Sequence, residues 1–294
     1  MKTQYIKWVY LIILSLVWGS SYILIKWGLI AFSPLQLGSL RLLITTIALL
    51  LVGYSSLQGL SRYHWKWLAI TGYVGTFFPA FLFAFAEKEI DSSVASIINS
   101  IVPLNTLILG MIIFKIESTK RQIIGVLVGF FGTYLLISSG LKLNPDQNYN
   151  YAGLVILCSF LYALNVNIIK KYLQHLSALT ITVGHFTAII LPAVLVFLFS
   201  DFEFSSLEKD EVKTSIFYVF ILALFGTALA KIIFNKLIKI SSPVFASSVT
   251  YSMLIVSIFW GIVDGEKFSI YQLIATLIIV FGVILTNKKA KIKN

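Results

Sequence analysis

The chain has 294 residues, 58% of them hydrophobic and 12% charged, with a mean hydropathy of +0.91. That is more apolar surface than a soluble core of this length can bury, so the composition calls for lipid as the solvent. The formal net charge of +11 does not indicate a nucleic-acid partner, because a basic binding face belongs on a far more polar background.

About 20 apolar residues are needed for a helix to cross roughly 30 Å of hydrocarbon. In chain order, runs of that length fall at 8–30, 34–53, 65–86, 92–114, 121–139, 151–170, 177–199, 214–237, 243–263 and 268–287. The first run continues past Leu24 with no small-residue cleavage site, so it reads as an uncleaved span. Turn chemistry marks the breaks at Ser33-Pro34, at Asn144-Pro145-Asp146 and in the charged stretch from Asp201 to Lys213. The single cysteine, Cys158, reads as a packed span residue.

Placing the N-terminus in the cytoplasm puts fifteen Lys/Arg on that side, among them Lys7, Arg62, Lys120, Arg121, Lys170 and Lys171, and five on the other. Eleven of the twelve acids then fall on outer loops. The asymmetry predicts a multi-pass protein of the cytoplasmic membrane with both termini inside. Trp8, Trp65, Trp67, Tyr149 and Tyr151 are placed to anchor at the headgroups, and the Lys288 to Lys293 run to meet anionic lipid.

The two halves match one another. Trp18 to Ser21 aligns with Tyr162 to Asn165 at an offset of 144, which also pairs Lys26 with Lys170, Ser33 with Ser177 and Arg41 with His185. At 151, Gly75-Thr76 pairs with Gly226-Thr227, Ala95-Ser96 with Ala246-Ser247 and Gly110 with Gly261. At 150, Phe131-Gly132 pairs with Phe281-Gly282. Five spans per half is an odd number, so the second copy starts on the opposite side of the membrane. The expected fold is an all-α membrane protein of ten transmembrane helices in two inverted five-helix repeats, residues 1–140 and 151–294, joined by a linker at 141–150.

The Trp18-Gly19-Ser20-Ser21 run with Lys26, Arg41 on the second span, the stretch from Ser92 to Pro103 and the Gly265-Glu266 step before the last span resemble EamA-type permeases of the drug/metabolite transporter superfamily. The resemblance covers residues 8–287 and implies a ten-helix fold, a central cavity and metabolite transport, often export. Two departures stand out: Leu254 occupies the place of Pro103, and Lys115-Ile116-Glu117 replaces the usual Gly-Glu step.

Candidate substrate-binding residues follow from polar groups placed inside spans. Asn99 lies on a stripe with Ser96, Pro103, Thr106 and Gly110, and Thr250 on the matching stripe with Ser247, Ser257 and Gly261. Such a stripe serves either close helix packing or a wet cavity. Trp18, Ser21 and Tyr22, with Tyr162 and Asn165 in the second half, suit an amphipathic ligand or a packed core. Ionisable groups in spans are costly and so are functional candidates. Lys26 and Lys170 read as snorkelling to headgroups. Arg41 is placed to meet an anion or to brace backbone carbonyls, and His185 to pack as a neutral imidazole. Lys231, on one face with Thr227 and Asn235, has no span carboxylate to pair with and is expected to face water or an anion.

His64, His175 and His185 fall in separate segments, without metal-ligand spacing, and no phosphate loop or buried carboxylate pair is present. No catalytic residue, metal or cofactor is therefore assigned, and an enzyme is not expected. The expected partners are a small-molecule substrate and the bilayer, with no nucleic acid, and the chain as a monomer or homodimer. Two functions stay open: a permease for an amino acid, organic acid or similar metabolite working by alternating access, and a lipid-handling or non-transporting scaffold subunit of the same fold. A polar central cavity distinguishes the first from the second.

Overall fold

The computed structural model describes residues 2–115, 119–143, 146–203 and 207–287, with the backbone alone at 2–4, 140–143, 283 and 286–287. The Lys288 to Lys293 run, Asn144-Pro145 and all but Lys115 of the Lys115-Ile116-Glu117 step lie outside these residues. Among the described residues the chain is helical and contains no strand. The helices are α1 (Lys2–Gly28), α2 (Pro34–Gly53), α3 (Arg62–Glu87), α4 (Ser92–Ile112), α5 (Lys120–Leu143), α6 (Tyr149–Leu173), α7 (Ala178–Leu198), α8 (Asp210–Ile240), α9 (Pro243–Val263) and α10 (Ile270–Asn287). Nine of them, α1 to α9, are long and apolar enough to cross a membrane, and α10 is apolar over the shorter stretch Ile270–Gly282.

Local chemistry sets the helix starts. Ser33 caps α2 through a reciprocal capping box with Gln36, followed by Pro34 in the first turn. Ser177 caps α7 in the same way through the N–H of Thr180, so the Ser33–Ser177 match is a match of caps. Gln36 also donates to the Ser200 carbonyl at 2.9 Å, tying the start of α2 to the end of α7.

Regular helix is interrupted at five places. α3, α6 and α8 carry π-turns at Tyr73–Phe77, Ile169–Leu173 and Leu222–Leu229. α4 consists of Ser92–Asn99 and Val102–Ile112, with the break just before Pro103, where the missing N–H favours a kink. α9 breaks likewise, into Pro243–Ser247 and Val249–Val263, although Leu254 replaces the proline.

The helices pair as α1 with α9, α4 with α6, α2 with α7 and α5 with α10. Buried apolar side chains such as Leu14, Leu37, Leu42, Ile97, Leu104 and Phe186 fill the interior. Leu51, Phe131, Leu198, Ile255, Leu277 and Phe281 point outward, a surface suited to lipid rather than water. Trp8 is half exposed as an anchor should be, whereas Tyr149, in the 3-10 turn that opens α6, is buried.

α5 and α10 approach closely at glycines, since without a hydrophobic drive between helices in lipid their association relies on tight packing. A Cβ on Gly132 would lie 2.8 Å from Ile279 Cγ1, and one on Gly282 would lie 2.7 Å from the Gly125 carbonyl oxygen. Gly282→Val is expected to destabilise the protein by about 1–3 kcal/mol through this overpacking. A thermal melt in detergent unchanged from wild type would contradict the close-packing account.

Candidate functional site

Between the helix pairs lies a cavity of about 90 Å³. Its wall takes Trp18, Ser21 and Tyr22 from α1, Arg41 from α2, Phe83 from α3, Asn99 from α4, Tyr162 from α6, Lys231 from α8 and Thr250 from α9, with Gly226, Phe234 and Met253 among the rest. Eight of the eleven sequence-derived candidates therefore meet in one space: Trp18, Ser21, Tyr22, Arg41, Asn99, Tyr162, Lys231 and Thr250.

The aromatic side of the wall is a contact chain. Trp18 meets Phe234 edge-on at 4.8 Å, Tyr22 meets Phe83 edge-on at 5.8 Å, and Phe83 stacks on Tyr162 at 6.1 Å. Asn99, at the break in α4, donates to Tyr22 Oη at 2.9 Å, which leaves its buried Oδ1 without a hydrogen bond from the protein. Phe83 shows no distinguishing signal in the sequence, being one of several phenylalanines on an apolar helix.

The π-turns explain how the polar side is held. A π-turn detaches carbonyls from the i→i+4 ladder, and in a dry interior each needs another donor. Lys231 Nζ donates to the Gly75 carbonyl, and Trp18 Nε1 donates to the Gly226 carbonyl at 3.0 Å. Glycine at these positions reflects close packing: a Cβ on Gly226 would fall 2.7 Å from Ser21 Oγ, and one on Gly75 would enter the Asn165 side chain. Lys231 also lies over the Tyr162 ring, 5.5 Å from its centroid.

The other three candidates stand behind the wall. Thr227 accepts from Arg41 Nε at 2.7 Å and donates to the Leu222 carbonyl at 2.9 Å, so it orients the guanidinium without lining the cavity. Asn165 is buried against Gly75. His185 is buried with Nε2 2.7 Å from Thr71 Oγ1, packed as a helix-to-helix contact between α7 and α3.

Three charge assignments read from the sequence need correction. Lys26 does not snorkel to headgroups: its Nζ lies 2.7 Å from Asp264 and 3.0 Å from Glu266. Gly265, at φ +84°, makes the left-handed turn that brings both acids to it. Glu266 also accepts from the Ser92 N–H at 3.0 Å, Ser92 Oγ at 2.8 Å and the Ser93 N–H at 3.1 Å, neutralising the unpaired N–H groups at the start of α4. The cluster joins α1, α4 and the α9–α10 loop. The second correction concerns Glu87, which is no loop residue: it ends α3 and is 6% exposed. Lys170 likewise donates inward, to the Ile238 and Lys239 carbonyls at the end of α8.

A ring of helices around a central cavity with polar and aromatic walls defines the class as a multi-pass membrane transporter. The chain belongs to the EamA-like transporter family, whose model matches residues 6–138 and 150–288. It is 27% identical over 280 residues to "Uncharacterized inner membrane transporter YedA" of Escherichia coli K12, covering 92% of this chain and 87% of that one. It is 26% identical over 171 residues to "Probable amino-acid metabolite efflux pump" of Salmonella typhimurium LT2, covering 56% and 53%. A crystal structure at 18% identity superposes with a TM-score of 0.66 over 97% of each chain, a likeness of fold.

Two outcomes follow. In a Cys158→Ala background, Thr250→Cys and Asn99→Cys are expected to react with a water-soluble thiol reagent, while Asn167→Cys, which replaces a buried residue bonded to the Thr106 carbonyl, stays unlabelled. Equal protection of all three would empty the cavity of its meaning. The second concerns Glu266. Burial opposes its ionisation, but hydrogen bonds from Ser93, Lys26 and Ser92 outweigh burial and hold its pKa below the ordinary glutamate value. Its stabilisation is therefore complete above the unfolded value of about 4.3 and is lost as pH falls through the lower folded one. Glu266→Gln should lower the melting temperature by a few degrees at neutral pH. In acid the gap to wild type should close, and a gap that widens instead would reverse the assignment.

Proposed function

We propose that the protein is a permease that binds a small amphipathic metabolite bearing a carboxylate, such as an amino acid or organic acid, and moves it by alternating access. The observation that carries this reading is the joint presence of Arg41 and Lys231 on a cavity wall otherwise built from Trp18, Tyr22, Phe83 and Tyr162. Two cations from different helices invite an anion, and the rings supply the apolar contact that fixes a ligand's body. At about one water per 10–15 Å³, the space suits a handful of heavy atoms. The wall is largely apolar, and it is the basic pair Arg41 and Lys231 on it that favours a permease over a lipid-handling or scaffold protein.

Alternating access is best served by two inverted five-helix repeats, and several contacts support that arrangement. The pairings α1 with α9 and α6 with α4 exchange under the sequence match of the halves, while α2 with α7 and α5 with α10 map onto themselves. Ser21 against Gly226 and Asn165 against Gly75 are likewise exchanged contacts. In this reading the repeats are residues 1–140 and 151–294, both termini lie in the cytoplasm, and the Lys26 cluster closes the outer end. The name of the Salmonella relative accords with export as the direction.

The test is transport in liposomes of purified wild type and Lys231→Met, matched for reconstitution, across labelled anionic, zwitterionic and neutral metabolites. A charged hydrogen bond of about 1.5–3 kcal/mol corresponds to a loss of roughly 10- to 100-fold for carboxylate substrates. Equal rates in the two proteins would remove Lys231 from the site.

A further inference from the structure

Glu87 is a buried acid that the cavity does not use. It lies one turn beyond Phe83 on α3, as Lys26 lies one turn beyond Tyr22 on α1, and Tyr22 and Phe83 are in edge-on contact. Neither of its carboxylate oxygens, both buried, is hydrogen-bonded by any described residue. The charged and titratable groups in electrostatic reach are Lys26 and Tyr22 from α1, Arg41 from α2, Tyr162 from α6 and Glu266 from the α9–α10 loop. α4 turns Ser92 and Ser93 toward this end, and both are engaged by Glu266. A carboxylate with no donor in a dry interior is stable only with a proton on it or a cation beside it. Lys26, the cation one turn above Tyr22, is held by Asp264 and Glu266.

The second half supplies the alternative geometry. Lys170, which matches Lys26, bonds the carbonyl of Ile238, and Ile238 matches Glu87 at the offset of 151 that pairs Gly75 with Gly226. The lysine of the first half thus sits on acids of the second, while the lysine of the second half sits on the end of α8, the helix of its own half equivalent to α3. If the halves exchange conformations, Lys26 moves to Glu87.

We propose that Glu87 is a proton-binding site that couples the transport cycle to protons by competing with Asp264 and Glu266 for Lys26. With the proton on its carboxyl group, Glu87 is neutral, Lys26 stays with the two acids and the cluster holds α1, α4 and the α9–α10 loop together. When the O–H proton leaves by way of the cavity to water on the opposite side, the carboxylate draws Lys26 across, Asp264 and Glu266 lose their counter-charge, and the end opens to take up the next proton from its own side. One proton is bound and released per cycle, with no other reactant. The inference rests on the permease reading for its purpose, but its conformational step stands apart from any substrate.

The test places spin labels at Ile30→Cys, just past α1, and Lys267→Cys, on the α9–α10 loop, both exposed and one on each of two segments that the cluster joins, in a Cys158→Ala background. Distances between them are measured in lipid nanodiscs from about pH 5 to about pH 9, a range that spans buried carboxylates. The expected result is a longer-distance population that grows about fivefold as pH rises in wild type and stays small at every pH in Glu87→Gln. Glu87→Asp, which keeps the carboxyl, should restore the pH response even if the glutamine protein folds poorly. Loosening through Glu266 runs the other way, in acid, so the two are told apart. A wild type without opening at high pH, or a Glu87→Gln protein that opens like wild type, overturns the proposal. In parallel, the same proteins in liposomes are given a ¹⁴C-labelled amino-acid mixture: Glu87→Gln should retain exchange at equal pH and lose accumulation driven by a pH gradient. Retained gradient-driven accumulation in Glu87→Gln also overturns it, whereas absence of all uptake by wild type with an intact distance response falls on the permease reading alone.

Discussion

The constraint on which the rest of the structure depends is that a backbone carbonyl freed inside hydrocarbon must find a donor within the protein. Regular helix satisfies this automatically and so leaves no room for a site. The π-turns at Tyr73–Phe77 and Leu222–Leu229 release it locally, and the carbonyls of Gly75 and Gly226 are then claimed by Lys231 and Trp18. The two side chains that brace these turns are therefore themselves fixed in the cavity wall. Backbone irregularity, buried cation and aromatic wall are one arrangement. Removing any one of them leaves a polar group without a partner in a place where that is costly.

Much of this was legible in the sequence, for physical reasons that differ by residue. Spans are read from composition because lipid tolerates little else, and among the described residues nine of the ten runs fall on helices long and apolar enough to cross a membrane, the tenth on α10. The Ser33–Ser177 match was legible because N-caps need a short side-chain acceptor, and Gly75–Gly226 because only glycine admits the close approach of Ser21 and Asn165. Cavity residues such as Trp18, Asn99 and Lys231 stood out because polar tips are rare in spans. Phe83 did not, since a phenylalanine on an apolar helix carries no mark of which space it faces. Asn165 and His185 were drawn to the cavity by their repeat partners, but the packing of Gly75 and Thr71 keeps them one layer back.

The charges at helix ends were the hardest to read. A span boundary is uncertain by a turn, and a turn decides whether Glu87 is solvated or buried and whether Lys26 reaches headgroups or Asp264. Lys26 and Glu266 are separated by 240 positions, and nothing local to either announces the other. What brings them together is the left-handed turn at Gly265 and the need of the α4 N-terminus for an acceptor, both visible only once α1 lies against α9. Loop charge counts bear on orientation only as a sum over many residues. They are a poor guide to any one residue at an interface.

In the alternating-access reading proposed above, a cavity between two matched halves raises the question of what gives the cycle a direction. Contacts that exchange, such as Ser21 with Gly226 and Asn165 with Gly75, contribute alike to both openings and so cannot favour either. Only groups without a like-charged counterpart can do so. Arg41 matches His185, which is buried on Thr71 away from the cavity; Lys231 matches Ala80, and Glu87 matches Ile238. These three replacements put two cations on the cavity wall and one acid behind it, with no equivalent charges in the other half. On that reading these charges, and whatever ligand or proton meets them, contribute to the free-energy difference between the two openings.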